Sequence, residues 1–202
     1  MATLPSGDKI PISELLPGMR VLAMDSDGRS TFSDFVTFLD RDPRSEHVFQ
    51  VIRTGDPPRR LSLTPTHLIF VADNASTPAA QYKAVFASEV RPGQYILVWG
   101  SRGLVPAIVT SVSTDIDAGV FAPLTQHGTI LVDDVVVSCF ALVQKQRLAQ
   151  LAYTPLRVLY SLGAMVGGET PQQVGLHWYS QLLYQVGRMV LDKNDFHPQL
   201  ES

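Results

Sequence analysis

The sequence predicts a mainly β fold with an internal pseudo-twofold over about residues 1–143, followed by an amphipathic helical extension over residues 144–202. Three observations carry this expectation. The segment Ser13-Glu14-Leu15-Leu16-Pro17-Gly18-Met19-Arg20-Val21-Leu22 is echoed 75 positions later (88 − 13) by Ser88-Glu89-Val90-Arg91-Pro92-Gly93-Gln94-Tyr95-Ile96-Leu97. Behind each Pro-Gly turn the apolar residues alternate as in a strand. Past residue 145 the apolar spacing becomes helical. Two copies of a unit rich in β runs fit a pseudo-twofold β domain, whereas a solenoid needs more copies.

Taken in order, each strand-turn-strand copy is closed by a glycine turn, at Gly28 and at Gly103. Between the copies, Phe35-Val36-Thr37-Phe38-Leu39 reads as an apolar strand ended by a turn at Asp40-Arg41-Asp42-Pro43. In Ser62-Leu63-Thr64-Pro65-Thr66-His67-Leu68-Ile69-Phe70, Pro65 fixes φ and stiffens the backbone ahead of the next strand. Leu63-Thr64 has a looser echo in Leu124-Thr125 of APLTQHGTILV, again a turn leading into a strand. Asn74-Ala75-Ser76 is a glycosylation sequon in a polar, loop-like stretch. Beyond the β part, Leu148, Leu151, Ala152, Leu156, Leu159 and Leu162 form a helical stripe that Pro155 must bend. After the glycine-rich stretch Gly163 to Gly168, Trp178, Leu182, Leu183, Val186 and Val190 form a second one. Such stripes fit helices that cap the β core. Trp178 and Tyr179 beside His177 also offer flat aromatic faces suited to a rigid apolar ligand such as a sterol.

Composition narrows the function classes. At 202 residues and 45% hydrophobic, the chain can bury one good core with an appendage. A net charge of −3 with scattered Lys and Arg gives no footprint for nucleic acid. No apolar run reaches the roughly 18 residues of a membrane span, and Met1 to Gly7 has neither the basic start nor the apolar middle of a signal peptide. Cys139 is the single cysteine, which excludes an internal disulfide framework and a cysteine-rich zinc site; a lone thiol in a strand is expected to be buried. His47, His67, His127, His177 and His197 are dispersed without a metal motif, and no nucleophile-elbow or phosphate-loop pattern occurs. Thr64 with His67 is either a hydroxyl and imidazole held for chemistry or a strand edge. Asp40 is either a general base or part of a solvated charge cluster with Arg41 and Asp42.

Five blocks, TFSDFVTFLDRD, LSLTPTHLIFVADN, FASEVRPGQYILV, FAPLTQHGTILVDDVVVSCFALV and GLHWYSQLLYQ, resemble in content and order the C-terminal autoprocessing region of Hedgehog proteins, nearest the Indian branch. The resemblance implies the Hint fold, shared with inteins, for residues 1–143, and a sterol-recognition region for residues 144–202, with Trp178, Tyr179, Leu182 and Leu183 as sterol contacts. It further implies a reaction. A cysteine opening the domain as Cys-Phe-Pro attacks the preceding glycine carbonyl to form a thioester, and cholesterol, the second substrate, displaces it to esterify the upstream signalling domain. Thr64 and His67 are implied to support the first step and Asp40 to take the proton of the sterol hydroxyl. Cys139 matches the family's second thiol, placed near the nucleophile.

The same resemblance implies an upstream signalling domain in cis as partner, and possible contact of the C-terminal helices with a membrane surface. For a full precursor it implies the endoplasmic reticulum lumen and secretion, with glycosylation at Asn74. No metal or cofactor is implied. These residues contain no Cys-Phe-Pro, so the expectation is that the chain as it stands neither cleaves itself nor attaches a sterol. The alternatives are a non-catalytic module binding a sterol or a protein, and an ordinary cysteine hydrolase built from Cys139, His67 and Asp40.

Overall fold

The computed structural model describes residues 1–141 together with Thr154, Pro155, Arg157, Gly175 and Leu176. The helical stripes expected over residues 144–202, and with them Trp178, Tyr179, Leu182 and Leu183, lie outside the described residues, apart from helical backbone at Thr154, Pro155 and Arg157. The chain opens with β1 (Ala2–Thr3) and β2 (Lys9–Ile10). A 3-10 turn (Ile12–Glu14) leads through Pro17-Gly18 into β3 (Arg20–Met24), and a tight turn returns the chain into β4 (Ser30–Thr54). The strands β5 (Arg60–Leu63), β6 (His67–Ala72) and β7 (Lys83–Phe86) follow. A 3-10 turn at Ala79–Gln81 precedes β7, and another (Ala87–Glu89) leads through Pro92-Gly93 into β8 (Tyr95–Gly100) and β9 (Gly103–Thr125). The strands β10 (Thr129–Val132) and β11 (Val135–Ala141) complete the β part, and β12 (Gly175–Leu176) adds to β4. All belong to one curled sheet ordered β12-β4-β9-β8-β6-β11-β10-β1-β2, with β3 and β5 on β4 and β7 on β6.

The duplicated segment folds as a duplicated clasp. In the first copy the Gly18 N–H donates to the Phe35 carbonyl at 2.9 Å and the Phe35 N–H to the Met19 carbonyl at 2.7 Å. In the second, the Gly93 N–H donates to the Val109 carbonyl at 2.8 Å and the Val109 N–H to the Gln94 carbonyl at 2.7 Å. Each clasp ties a Pro-Gly turn to the strand that returns past it. Both depend on a glycine with positive φ, +90° at Gly18 and +93° at Gly93, where a side chain would crowd the backbone. Leu15 and Val90, which leave the 3-10 turns ahead of the two clasps, are both buried.

The returning strands β4 and β9 are 25 and 23 residues long and pair with each other antiparallel from Phe35↔Thr125 to Thr54↔Val109. Their ends face the core and their middle, around Arg44–Glu46 and Asp115–Ala118, is exposed. The strand expected to end at Asp40-Arg41-Asp42-Pro43 instead continues through these residues. Pro43 has no N–H for a ladder, and it is accommodated at a register shift between Asp42 and Glu46, where β4 advances four residues and β9 two. A polar, proline-containing run thus reads as a turn in sequence while folding as a bulged strand.

The central strands β6 and β11 are buried over almost their whole length, which accounts for their near-continuous apolar sequences. Around them pack Phe35, Ile52, Leu61, Leu68, Ile96, Leu124, Ile130 and Phe140. Phe35 and Phe38 lie with ring centroids 4.9 Å apart, and Phe38 meets Phe121 edge-on at 5.9 Å. A Cβ added at Gly93 meets nothing within 4 Å, so Gly93→Ala isolates the backbone cost of the clasp turn. Urea denaturation is expected to show it less stable by about 1–2 kcal/mol; an unchanged midpoint would contradict the left-handed turn.

Candidate functional site

Thr64 and Pro65 form the turn between β5 and β6, closed by the His67 N–H donating to the Thr64 carbonyl at 3.0 Å. The Thr64 side chain is half-buried and makes no hydrogen bond among the described residues. His67 is the first residue of β6 and is buried, opposite Ala141 of β11. Between the pairs Val137↔Ile69 and Ala141↔His67, β11 advances four residues while β6 advances two. The surplus forms a bulge over Ser138, Cys139 and Phe140, closed by the Phe140 N–H donating to the Ser138 Oγ at 3.1 Å.

This bulge turns the Ser138 carbonyl onto the His67 ring, 2.8 Å from Nε2. A carbonyl can only accept, so Nε2 carries the hydrogen. The neutral ring therefore keeps its lone pair on Nδ1, which makes no hydrogen bond among the described residues. Burial lowers the His67 pKa from its ordinary 6.5, only partly offset by the Ser138 carbonyl. At neutral pH His67 is an uncharged base with one oriented N–H and one unengaged nitrogen.

Cys139 sits on the same bulge with its N–H held by the Gly128 carbonyl at 2.9 Å. Its Sγ is 3.7 Å from the Thr125 Oγ1. That hydroxyl donates its single proton to the Thr129 carbonyl at 2.8 Å and accepts the Gly128 N–H at 3.1 Å. The thiol must then be the donor towards Thr125. Burial agrees, pushing the Cys139 pKa up to about 11 despite the Thr125 hydrogen bonds, so the thiol stays protonated. His67 hydrogen-bonds to a carbonyl and Cys139 to a hydroxyl; among the described residues they form no thiol–imidazole pair, which argues against the cysteine hydrolase.

Asp40 lies half-buried on β4, with Ala122 of β9 opposite on one side and Leu176 of β12 on the other. Two bulges precede it, where Phe35↔Thr125 steps to Thr37↔Leu124 and Phe38↔Pro123 to Asp40↔Ala122. They break strand alternation and re-aim the side chains around Asp40, and Pro123, lacking an N–H, sits at the second. Burial raises the Asp40 pKa above 3.8, opposed by the Arg41 N–H and reinforced by Asp42. Arg41 is held away, its guanidinium 5.3 Å from the Phe38 ring centre and its Nη2 donating to the Ser13 carbonyl at 3.4 Å. Asp40 has no hydrogen bond or ion pair to Thr64, His67 or Cys139. It is three β9 residues from Thr125, about 10 Å along the strand.

The structure thus joins His67, Cys139 and the Thr64 turn at one end of β6 and β11, and carries Asp40 on the ribbon that also delivers Thr125. Sequence reasoning missed the Ser138 carbonyl, which has no side-chain signal, and marked Thr125 only as an echo of Thr64. The echo has a further consequence: Thr125-Gln126-His127-Gly128 carries its own histidine. His127 Nδ1, however, lies 2.9 Å from the Ser33 Oγ, and its N–H donates to that oxygen at 3.0 Å, so His127 ties the turn to β4. Asn74 is exposed, its Oδ1 accepting the Ser76 N–H at 2.9 Å in a local turn.

The depressed His67 pKa has a stability consequence. Its contribution is complete above 6.5 and is lost as pH falls towards the folded-state value, because the unfolded chain then binds a proton that the folded ring refuses. His67→Gln keeps an Nε2–H donor for Ser138 and does not titrate. Thermal melts from pH 8 to pH 5 are expected to fall more steeply for the unaltered chain than for His67→Gln; identical slopes would contradict a buried neutral His67.

A family model described as the Hint module matches residues 1–192. The Indian hedgehog protein of Xenopus laevis is 65% identical over 206 residues, covering 100% of this chain and 50% of the relative. The Indian hedgehog protein of Gallus gallus is 58% identical, covering 98% and 48%. The chain spans about half the length of these curated relatives. Among solved structures, a DnaB intein from Synechocystis matches with a TM-score of 0.55 at 13% identity, covering 68% of this chain and 92% of the intein. The TvoVMA intein matches at 0.54 and 15%, covering 67% and 92%. At that identity the intein likeness concerns the fold.

Proposed function

This chain belongs to the Hint family and is a hedgehog-type Hint domain, and from that premise we propose that it is the self-processing half of a secreted signalling precursor. In this reading it cleaves the peptide bond joining it to an upstream signalling domain through an internal thioester, then passes that domain to cholesterol. The observation that carries the reading is the bond from His67 Nε2–H to the Ser138 carbonyl, which leaves the Nδ1 lone pair without a partner among the described residues beside the thiol-bearing bulge.

The nucleophile is the cysteine of a Cys-Phe-Pro ahead of this segment, because Cys139 is the single cysteine here and its thiol is buried and held protonated. As that thiol attacks the glycine carbonyl, an S–C bond forms and its proton passes to His67 Nδ1. The imidazolium returns the proton to the departing amide nitrogen as the C–N bond breaks, leaving a thioester and a free amine. Burial favours this direction of transfer, since a ring that resists charge gives its proton back readily. Thr64, on the turn that leads into His67, supports the scissile bond through its hydroxyl.

In the second step the cholesterol hydroxyl attacks the thioester carbonyl, giving its proton to the Asp40 carboxylate; the C–S bond breaks and the thiolate is reprotonated. The raised pKa of Asp40 makes it a better base than an exposed aspartate. Trp178, Tyr179, Leu182 and Leu183 are the candidates to hold the sterol. Passage through the endoplasmic reticulum lumen would expose Asn74, on its open turn, to glycosylation, and the C-terminal region would meet a membrane surface where cholesterol resides.

The test is a fusion of a reporter ending in glycine to a Cys-Phe-Pro start and this chain, followed by gel shift. Dithiothreitol and cholesterol are each expected to release the reporter, while the chain without the added start releases nothing. His67→Ala should reduce release by both nucleophiles by about 100-fold or more, the scale of a lost acid–base catalyst. Asp40→Ala should keep release by dithiothreitol, since a thiol ionises unaided, and lose release by cholesterol. Equal loss with both nucleophiles in Asp40→Ala would contradict the division of roles, and no release from the unaltered fusion would favour a non-catalytic binding module.

A further inference from the structure

Asp40 shares its face of β4 with a second carboxylate. From Asp40↔Ala122 through Arg41↔Phe121 to Asp42↔Val120 the pairing with β9 is regular, so alternation puts Asp40 and Asp42 on one face and Arg41 on the other. The backbone positions of the two acids are about 7 Å apart along the strand. Arg41 faces the Phe38 ring and donates to the Ser13 carbonyl, and among the described residues no ion pair joins it to either carboxylate.

The bulge that follows folds back on Asp42. Between Asp42 and Glu46 β4 advances four residues while β9 advances two, from Val120 to Ala118. The extra residues form a turn closed by Asp42, whose Oδ1 accepts the Arg44 N–H at 3.2 Å and the Ser45 N–H at 3.1 Å. The turn carries His47 back as well: its Nε2 lies 3.7 Å from the Asp42 Oδ2, an ion-pair distance and longer than a hydrogen bond. In a regular strand positions 42 and 47 would be about 17 Å apart, with their side chains on opposite faces. The bulge is thus what brings the imidazole to the carboxylate.

Asp42 is fixed and charged. The Ser45 hydroxyl and N–H, with the Arg44 N–H, hold its pKa down at about 2. His47 Nε2 is buried without a hydrogen-bond partner, and Asp42 is its ion-pair partner among the described residues. On β9, Asp117 stands opposite His47 but its Oδ1 accepts the Ala118 N–H at 2.8 Å. Arg44 and Glu46 are exposed, and Val120, Ala122, Gly175 and Leu176, which pair with this stretch of β4, carry no charge. Burial is the largest cause of the raised Asp40 pKa; of the side-chain charges among the described residues, Asp42 adds to it and a protonated His47 opposes it.

We propose that Asp42 and His47 are a pair of opposed charges that tunes Asp40 for the second step: the fixed Asp42 carboxylate on the same face favours proton uptake by Asp40, and a protonated His47, held to Asp42 by the bulge, cancels that help. Both act through Asp40 and are positioning residues. The inference rests on the reading of Asp40 as the base that takes the sterol proton. Thioester formation, which belongs to His67, is expected to be indifferent to the pair.

Two neutralising substitutions separate charge from structure. Asp42→Asn keeps an Oδ1 acceptor for the Arg44 and Ser45 N–H groups while removing the charge, and His47→Gln removes the imidazole while keeping a polar side chain. Carbon-13 NMR of the aspartate carboxyls, on the chain as it stands, is expected to show the Asp40 titration at lower pH in Asp42→Asn and at higher pH in His47→Gln. In the Cys-Phe-Pro fusion the acid limb of cholesterol release should move in the same two directions, with release by dithiothreitol unchanged in both variants. Local loss of structure would displace both variants the same way, so opposite shifts are the signature of charge. An Asp40 titration that stays put in Asp42→Asn, or moves the same way in both variants, would overturn the proposal, as would an acid limb that does not follow the titration. Titrations that shift as expected, combined with no release from the unaltered fusion, would uphold the charge pair and reject the sterol-transferring reading.

Discussion

The antiparallel pairing of β4 with β9 is the constraint on which the rest of the molecule depends. Each strand begins in one copy of the repeated unit, clasped to its own Pro-Gly turn, and ends by pairing with the other. Its length would make a flat ribbon an exposed edge, yet the register shifts at four places, and these bulges twist and bend it. The bend lets one ribbon serve both halves of the site: β4 presents Asp40 and β9 ends at Thr125. A straight pairing would keep strict alternation and place one of two neighbouring side chains on the wrong face.

Desolvation then sets the chemistry, and it acts with opposite sign on the two groups of the bulge. The same burial that raises the Cys139 pKa lowers that of His67, so both rest uncharged. Neither gains from the other. Cys139 gives its S–H to Thr125, while His67 gives its Nε2–H to the Ser138 carbonyl and keeps its Nδ1 lone pair. A neutral base with a single free nitrogen is suited to relaying a proton between an incoming thiol and a leaving amine. A buried protonated thiol is suited to keeping out of the way of that relay.

Much of this frame was legible in the sequence. The repeated Pro-Gly turns became the two clasps, because a proline followed by a glycine at positive φ is a local demand that tertiary context seldom overrides. The stiff Thr64-Pro65 turn was legible for the same reason, and the burial of Cys139 from its place in an apolar strand. The continuation of β4 through Asp40 and Pro43 was not, since a bulge is defined by the partner strand and the local residues spell a turn. The Ser138 carbonyl left no trace because backbone groups have no identity in sequence. The bonds between Gln126 and Arg157 left no trace either, because they span 31 positions and no periodicity links the two residues.

The chemistry of the site turns on His67 being a neutral base with its proton on Nε2 and its lone pair on Nδ1. Nitrogen-15 NMR of the imidazole in the folded chain measures both properties at once. One Nε2–H signal strongly shifted by its bond to Ser138, an unprotonated Nδ1 at pH 7, and titration only below pH 6.5 are expected. A proton on Nδ1 at neutral pH, or a ring that titrates above 6.5, would contradict it.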